Sequence, residues 1–449
     1  MMKRIFLTLA FGILACATNA QIQTRPMPES GFEKRIDAFV EQQPIVDTHE
    51  HLVSFEAIKD NMPLDIMLIL HHYADDDIKS AGMSKPTFEM LMKDSLPVME
   101  KWDILEPYWE ASRNTAYNRA ALIAAKDLFN IDDINRNTVQ MLSDRIMEVY
   151  ENPGWYDHIL KERSGIGHAI LDVGERRYEH DMFSYVMRFD DFINIDSGED
   201  IKKKSDESGL NISTLSEYVS ALERAFEKAL NKGMVGIKSG LAYRRLLQYD
   251  KTDELEAASV FNKLFLRPQE SFDFEQVKPL QDYMMHEVIR LARSADLPMI
   301  IHTGLQAGDG NYITNSNPTH LTNLFLEYRE VRFCLYHGGF PYGAELGVLA
   351  KNFRNVYIDM CWLYIISPSY SERFLHEWLE TVPANKIMAF GGDYHNVENV
   401  YAHAIMARKV ISKVLIEKVS TGYLTEQEAM DIAHMLLHDN ALNFYGIDK

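Results

Sequence analysis

Short apolar runs alternate with longer amphipathic stretches along most of the chain. Eight of the apolar runs have the length of a strand, and from the fourth onward an amphipathic stretch separates each from the next. Alternation of this kind predicts parallel strands joined by right-handed helical crossovers. The predicted strands lie at 45–47, 166–173, 183–189, 233–238, 297–302, 331–337, 355–360 and 386–393.

Eight such strands predict an α/β fold of the (β/α)8 TIM-barrel type, with the active site on the loops at the strand C-termini. The pattern is nearly all helical from 55 to 162, which predicts a helical insertion after the first strand that covers the barrel mouth. His71 and His72 fall inside this insertion and are interpreted as surface or packing residues. The segment Asp190 to Asp206 is charged and poor in hydrophobic residues, which predicts a surface loop. Further helices are predicted at 30–43, 214–231, 277–294, 318–328, 342–353 and 370–379.

The first twenty residues have the pattern of a signal peptide. Lys3 and Arg4 precede an apolar run that is too short for a stable membrane anchor, and Thr18-Asn19-Ala20 offers a cleavage site. The expected mature protein is a single domain, 21–449, exported to the periplasm or secreted. Cleavage before Cys16 with attachment of lipid is the alternative. No later stretch is apolar enough for a membrane helix.

Composition and charge narrow the classes of partner. The chain is 46% hydrophobic and 25% charged, as in ordinary soluble globular proteins, and its formal charge is −20. Since it has no basic run, we expect a small-molecule substrate and no nucleic acid. Cys334 and Cys361 remain after leader removal and are predicted to be buried hydrophobes, although an exported chain could pair them. Assembly into a homo-oligomer is left open.

A His-x-His pair closes the first predicted strand. Successive strand side chains point to opposite faces, so His49 and His51 point the same way and can chelate one ion. His302, His337 and Asp393 follow or end three later apolar runs. Five side chains of this type at the ends of four strands predict a metal site in the barrel mouth.

The proposed ligands of one ion are His49, His51, His302 and Asp393. Imidazole and carboxylate together suit Zn²⁺ and, with more oxygen ligands, Mn²⁺ or Fe²⁺. Asp393 is also the candidate general base that accepts a proton from water activated by the ion. The alternative for Asp393 is a turn residue after Gly391-Gly392, where aspartate is common.

Two further residues have several interpretations. His337 is a ligand of a second ion, a general acid that also orients the substrate, or a packed histidine at the barrel mouth. Lys238, at the end of the fourth strand, is a carboxylated lysine that bridges two metals, an ammonium that holds a substrate carboxylate, or a salt-bridged lysine. The number of ions, one or two, therefore stays open.

Arg244 and Arg245 follow the fourth strand in "GLAYRR". Arginine suits bidentate binding of a carboxylate, so both are candidate substrate-binding residues. The alternative is a solvated charge pair on a loop. The glycine-rich "HTGLQAGDGN" lacks the Lys-Ser/Thr ending of a phosphate-binding loop, which excludes a nucleotide role there.

Five motifs in order resemble the amidohydrolase superfamily: "DTHEHL", "GIKSGLAYRR", "IIHTG…GDGN…NP", "YHGGFPYGAELGVLAKNFRNVYIDM" and "FGGDYHNVENV". They are most similar to the amidohydrolase-related branch that includes aminocarboxymuconate-semialdehyde decarboxylase, dicarboxylate lactonases and uronate isomerase. The resemblance spans about Pro44 to Tyr445 and implies a metal-binding barrel. It places the ligands on His49, His51, His302 and Asp393, and an acid/base or ligand role on His337. Lys238 sits where some members carry a carboxylated lysine, but close relatives often use one metal without it.

The first functional hypothesis is hydrolysis of an amide, ester or lactone in a small carboxylated molecule. Asp393 would take the proton of the attacking water, and His337 would polarise the carbonyl or protonate the leaving group. The second keeps the site and changes the reaction to decarboxylation or sugar-acid isomerisation. The third is a protein that binds a sugar acid or a metal without catalysis.

Overall fold

The computed structural model describes residues 31–93, 96–172, 181–308 and 310–447. The predicted signal peptide and Cys16 lie outside these residues. Eight parallel strands form one sheet in sequence order, as the alternating pattern predicts. The strands are β1 (Ile45–Glu50), β2 (Ile166–Leu171), β3 (Phe183–Arg188), β4 (Met234–Ser239), β5 (Met299–Ile301), β6 (Phe333–Leu335), β7 (Val356–Asp359) and β8 (Ile387–Met388).

Backbone hydrogen bonds close the sheet into a barrel between β1 and the segment after β8. The Thr48 amide donates to the Phe390 carbonyl at 3.0 Å, and the Asp393 amide donates to the His49 carbonyl at 2.8 Å. The TIM-type (β/α)8 fold class is thereby confirmed. The closure also places Asp393 beside the His-x-His pair.

Helices surround the barrel and cover its mouth. They are α1 (Gly31–Gln42), α2 (Phe55–Asn61), α3 (Ile66–Leu70), α4 (Ala74–Ser80), α5 (Lys85–Leu91), α6 (Val98–Ser112), α7 (Ala116–Phe129), α8 (Val139–Val149), α9 (Trp155–Asp157), α10 (Asp190–Ile193), α11 (Gly198–Ser208), α12 (Leu215–Asn231), α13 (Glu254–Leu266), α14 (Phe274–Ser294), α15 (Thr322–Glu327), α16 (Gly343–Asn352), α17 (Leu363–Ile366), α18 (Pro368–Thr381), α19 (Val397–Ser420), α20 (Glu426–His434) and α21 (Asn440–Tyr445). Two π-helical turns (His158–Arg163, Met435–Asp439) and five short 3-10 turns (Leu241–Tyr243, Ile313–Ser316, Pro318–Leu321, His337–Gly339, Ala384–Lys386) complete the described elements.

Apolar side chains fill the barrel interior, and the C-terminal helix α21 closes its lower end, which is the end opposite the mouth. Tyr445 of α21 reaches into the interior, where its hydroxyl lies 2.7 Å from that of Tyr336. The Tyr336 hydroxyl also bonds to the Thr48 carbonyl at 2.7 Å. Burial of such large side chains stabilises the closed end by the hydrophobic effect. The interior cluster comprises Val46, Ile170, Val186, Ile300, Cys334, Tyr336, Cys361, Met388, Ala441, Leu442, Phe444 and Tyr445.

The helices between β1 and β2 pack over the barrel mouth. Side-chain amides of Asn396 and Asn399, at the start of α19, donate to the carbonyls of Leu68 (3.2 Å) and Ile69 (3.1 Å). These two buried hydrogen bonds attach the insertion to the segment that follows Asp393. The insertion therefore contributes residues to the wall of the barrel mouth.

The predicted loop at 190–206 is wrong, because α10 and most of α11 occupy it. Ser197 and Asp200 form a capping box that starts α11, which offsets the poor hydrophobic pattern of this segment. Ile201 is buried and anchors the helix. Charged residues on its exposed face made the segment look like a loop.

Cys334 and Cys361 are both buried and unpaired. Both lie in the apolar cluster of the barrel interior, and the Sγ atom of Cys361 is also 3.4 Å from Nδ1 of His337. Among the described residues, no helix combines the length and apolar character that a bilayer crossing requires.

Candidate metal centre

A cavity of about 780 Å³ opens at the C-terminal ends of the strands. Polar and charged side chains dominate its wall. It is lined by His49, His51, His72, Tyr73, Arg188, Asp190, Asp191, Asn194, Lys238, Gly240, Leu241, Tyr243, Arg244, His302, Ala307, His337 and Asp393. This is where active sites of (β/α)8 barrels form.

Three of the predicted ligands meet at one point of this cavity. The Nε2 atoms of His49 and His51 each lie 3.3 Å from Oδ1 of Asp393. Ligand atoms of all three residues lie within 4.8 Å of one another. Two imidazole nitrogens and one carboxylate oxygen at such distances form a donor set for a divalent transition metal.

Buried carboxyl groups beneath the cluster fix its geometry. Asp47 Oδ1 accepts hydrogen bonds from the amides of His49 and Gly392, both at 3.1 Å. Glu50 Oε2 accepts one from the Tyr394 amide at 3.0 Å. The residues on either side of Asp393 are therefore bonded to the strand that carries the histidines.

Two glycines allow this close approach. A Cβ at Gly392 would lie 1.9 Å from Oε1 of Glu50, and one at Gly391 would lie 2.4 Å from Cβ of Cys361. Asp393 itself adopts a left-handed conformation with φ 59°. The "GGD" sequence thus has a steric explanation, and it presents the Asp393 carboxylate to the histidines.

Electrostatics around the cluster favour a bound cation. Burial lowers the pKa of His49 well below its usual value and that of His51 to about 4, so both rings are neutral and offer lone pairs. Burial raises the pKa of Asp393 to about 8. The positive charge of nearby Lys238 only partly opposes this rise, and a divalent ion held together with the two neutral imidazoles would further favour the carboxylate form. The residues present therefore fit a metal ion.

Loading the metal-free protein at pH 7 is expected to release nearly one proton per ion bound. Burial keeps Asp393 protonated there, whereas an ion binds its carboxylate form. The release should shrink as the pH rises through about 8, and the apparent affinity should increase up to that pH and then level off. Calorimetric titrations at pH 7 and pH 9, in buffers of different ionisation enthalpy, measure the release. Equal release at both pH values would contradict this.

His302 lies in the same cavity but outside the three-residue cluster. Its Nε2 is 2.7 Å from the Leu305 carbonyl, to which it must donate, so its Nδ1 carries the lone pair. That lone pair faces Nε2 of His337 at 2.8 Å. The predicted fourth ligand is thus hydrogen-bonded to the predicted acid/base residue. The other ring nitrogen of His337, Nδ1, lies 3.7 Å from Oδ2 of Asp393.

Lys238 lies directly beside the cluster. Its Nζ is 3.4 Å from Nε2 of His49 and 3.8 Å from Oδ2 of Asp172, and it sits 4.0 Å above the Tyr336 ring. Burial lowers its pKa below the usual value. The Lys238 side chain thus reaches both a predicted metal ligand and the buried carboxylate of Asp172.

The two adjacent arginines have different surroundings. Arg244 is exposed and lines the cavity. The Arg245 guanidinium is wholly buried outside the lining, paired with Asp282 and hydrogen-bonded to Gln281 at 3.0 Å. Substrate binding by Arg245 is therefore not supported, because its side chain points into the protein and already holds an ion pair. The substrate-binding hypothesis remains with Arg244.

The sequence analysis missed an ion pair at this place, between Arg188, which lines the cavity, and the buried Asp172. Asp172 follows β2 and Arg188 ends β3, and they form a two-bond ion pair whose Nε–Oδ1 distance is 2.8 Å. Burial favours the neutral acid, but the Arg188 charge prevails and holds the pKa of Asp172 at about 2. Their position at strand C-termini was the same signal that identified the histidines.

The insertion also reaches the cavity. Tyr73 is buried, and its hydroxyl is hydrogen-bonded to the Asp393 carboxyl. His72 stacks on His395 with ring centroids 3.9 Å apart. His72 is thus a packed residue, as interpreted from the sequence, but it packs in the wall of the site. No local sequence pattern identified Tyr73 or His72 as residues of the cavity wall, because their contacts depend on how the insertion folds back over the barrel.

Comparisons with known proteins agree with the barrel fold. A family model described as "Amidohydrolase" matches residues 217–447. Protein fluG of Emericella nidulans is 30% identical over 225 residues, an alignment that covers 48% of this chain and 26% of that protein. This chain therefore spans about a quarter of the length of that relative.

Two uronate isomerases match nearly end to end. The uronate isomerase of Nostoc punctiforme is 21% identical over 453 residues, covering 90% of this chain and 93% of that protein. The crystal structure of uronate isomerase from Thermotoga maritima superimposes with a TM-score of 0.77 at 20% identity, covering 92% of this chain and 97% of that one. At this identity the structural likeness shows a shared barrel fold.

Proposed function

Because the chain belongs to the amidohydrolase family, we propose that it is a metal-dependent enzyme that isomerises a small sugar acid of the uronate class. The observation that carries this proposal is the His49–His51–Asp393 cluster on the wall of a cavity that also presents Arg244. The cluster suits a divalent ion, with Zn²⁺ first and Mn²⁺ or Fe²⁺ as alternatives. The end-to-end likeness to uronate isomerases supports the choice of reaction.

The cavity wall suits a ligand with many hydroxyl groups. Asp190, Asp191, Asn194 and Tyr243 supply hydrogen-bonding groups on one side. Arg244 supplies a positive charge for a carboxylate. A volume of about 780 Å³ is ample for one monosaccharide-sized molecule.

The chain's own groups can move protons at this place. Interconversion of an aldose and a ketose through an enediol moves one proton from a carbon to its neighbour and a second proton between the two attached oxygens. Asp393 is the candidate base, and the Tyr73 hydroxyl that bonds to it orients the carboxyl and holds a proton beside it. The His302–His337 pair lies next to the other Asp393 oxygen. A divalent ion bound here would act as a Lewis acid on the substrate carbonyl.

Hydrolysis is the second candidate. The same three-residue cluster, with a carboxylate that can accept a proton from water, is the arrangement that the hydrolytic hypothesis requires. An amide, ester or lactone of a small carboxylated molecule would occupy the same cavity. Decarboxylation uses the same groups and is the third reaction to test.

A substrate panel in H2¹⁸O separates the reactions. The metal-loaded chain is incubated with D-glucuronate and D-galacturonate, and in parallel with amides, esters and lactones of small carboxylic acids. We expect the uronates to give a ketose isomer of the same elemental composition, and its mass is read in ordinary water because a sugar carbonyl exchanges its oxygen with H2¹⁸O. Turnover of a panel member with gain of one solvent oxygen, and none of the uronates, would replace isomerisation by hydrolysis. Release of CO2 would replace it by decarboxylation.

Arg244→Met is expected to lose substrate affinity and keep its stability, whereas Arg245→Met is expected to lose stability. Loss of the exposed Arg244 should raise KM for the carboxylated substrate about tenfold or more, since a charged hydrogen bond contributes about 1.5–3 kcal/mol, and should leave the thermal midpoint unchanged. Loss of Arg245 removes one of the two cations that pair with the buried Asp282 carboxylate, Lys278 being the other, and leaves the Gln281 side-chain oxygen without this donor. It should cost about 1–3 kcal/mol of unfolding free energy.

Steady-state kinetics and thermal unfolding of both variants check this pair. Each arginine serves as the control for the other, because the substitutions are identical and adjacent. An unchanged KM in Arg244→Met would remove this residue from the substrate site.

A further inference from the structure

A second group of metal-type side chains lies at the other end of the barrel. His434 Nε2 is 3.4 Å from Oδ1 of Asp439, and His438 Nδ1 is 2.9 Å from the same oxygen. One ligand atom from each residue lies within 4.8 Å of the others. All three side chains are partly exposed, so an ion can reach them from solvent.

A π-helical turn brings these residues to one face. In an α-helix of 3.6 residues per turn, residue i+5 lies about 140° around the axis from residue i, so Asp439 would point away from His434. The turn Met435–Asp439 is π-helical, with the Asn440 amide bonded to the Met435 carbonyl five residues earlier. The wider turn returns i+5 to the side of i. Such turns are rare and frequently lie at functional sites.

A neighbouring glutamine fixes the tautomer of His434. The Gln43 amide nitrogen donates to the Phe39 carbonyl at 3.1 Å, which turns its Oε1 toward His434. Nδ1 of His434 lies 2.8 Å from that oxygen and must donate to it. In a neutral ring, Nε2 then carries the lone pair and faces a carboxylate oxygen. Two acceptors at 3.4 Å repel unless a cation lies between them.

We propose that His434, His438 and Asp439 bind a divalent transition-metal ion of the Zn²⁺ class. The donors are Nε2 of His434, Nδ1 of His438 and an oxygen of Asp439, and Gln43 holds the first ring as carbonyl groups commonly hold metal-bound histidines. Gln43 precedes β1 and His49 lies near its far end, so the two metal sites are about 20 Å apart at 3.3 Å per residue. This site is therefore separate from the cavity.

The ion would fasten the closing segment of the barrel. Within the π turn, the Leu436 carbonyl accepts a hydrogen bond from the Ala389 amide at 2.9 Å. Asn440 donates to the carbonyls of Ala384 at 2.8 Å and Ile387 at 2.7 Å. Helix α21, which fills the lower end of the barrel, follows at once. Metal binding at the turn thus stabilises the folded state by mass action.

Zinc stoichiometry tests this inference. The full chain without a histidine tag is stripped with a chelator and titrated with Zn²⁺, with bound metal counted by elemental analysis. We expect His438→Ala and Asp439→Asn each to bind one equivalent fewer than the unsubstituted chain. Both should keep its turnover and lose part of the rise in thermal midpoint that zinc produces. His376→Ala is the matched control, since His376 is a partly exposed helical histidine with one glutamate partner, Glu380.

An unchanged count in both variants would overturn the inference and leave a proton as the bridging cation. If one variant fails to fold, the other gives the same decision. The result is independent of the reaction catalysed in the cavity, because it is read from bound metal and thermal stability.

Discussion

Asp393→Asn is expected to lower kcat/KM by about a thousandfold, the size of effect that a positioned general base contributes. The amide cannot accept a proton at neutral pH and cannot neutralise an ion held by His49 and His51. Affinity for the ion should therefore fall as well. The fold should survive, because burial already disfavours the charged carboxyl at this position, where its pKa is about 8. Kinetics at saturating metal, metal titration and thermal unfolding measure the three effects.

Asp359→Asn is the matched control. Asp359 is a buried carboxyl at the end of β7, where burial raises its pKa to about 7, and it lies outside the donor cluster. The Asp359→Asn variant should bind the same amount of metal as the unsubstituted chain. Full activity of Asp393→Asn on the true substrate would remove Asp393 from the reaction.

Gly392→Ala is the second substitution with a large expected effect. Its new methyl would lie 1.9 Å from Oε1 and 2.9 Å from Cδ of Glu50, and 3.1 Å from Cγ1 of Val400. Glu50 is buried and bonded to the Tyr394 amide, so the backbone before Asp393 must move instead. Overpacking of this kind costs about 1–3 kcal/mol, and the displaced carboxylate should weaken metal binding more than tenfold.

Gly167→Ala serves as its control, because nothing lies within 4 Å of a Cβ at that position of β2. Denaturant unfolding and zinc titration of the two variants check the comparison. If Gly392→Ala bound zinc with unchanged affinity, the close approach of "GGD" to Glu50 would not be what positions the ligand.

The sequence alone predicted the strands and the donors that follow them. Parallel strands appear in the sequence as regularly spaced apolar runs. Because the C-terminal ends of barrel strands lie at one end of the barrel, His49, His51 and Asp393 could be predicted to lie together. Asp172 and Arg188 also lie at strand C-termini, so the same rule predicts their place beside the cluster.

Other features depended on contacts that no local pattern encodes. His302 is directed to His337 because the Leu305 carbonyl takes its other nitrogen. Arg244 and Arg245 differ only in the direction their side chains take after a short turn. Tyr73 reaches Asp393 because the insertion folds back over the mouth. In each case tertiary packing decides the role.

The central claim is that His49, His51 and Asp393 hold one divalent ion in the cavity at the strand C-termini. Anomalous diffraction at the zinc edge, from crystals of the zinc-loaded chain, tests it most directly. The account predicts a peak in contact with Nε2 of His49, Nε2 of His51 and the Asp393 carboxylate. Zinc bound only at His434 and His438, or nowhere near the three cavity residues, would contradict it.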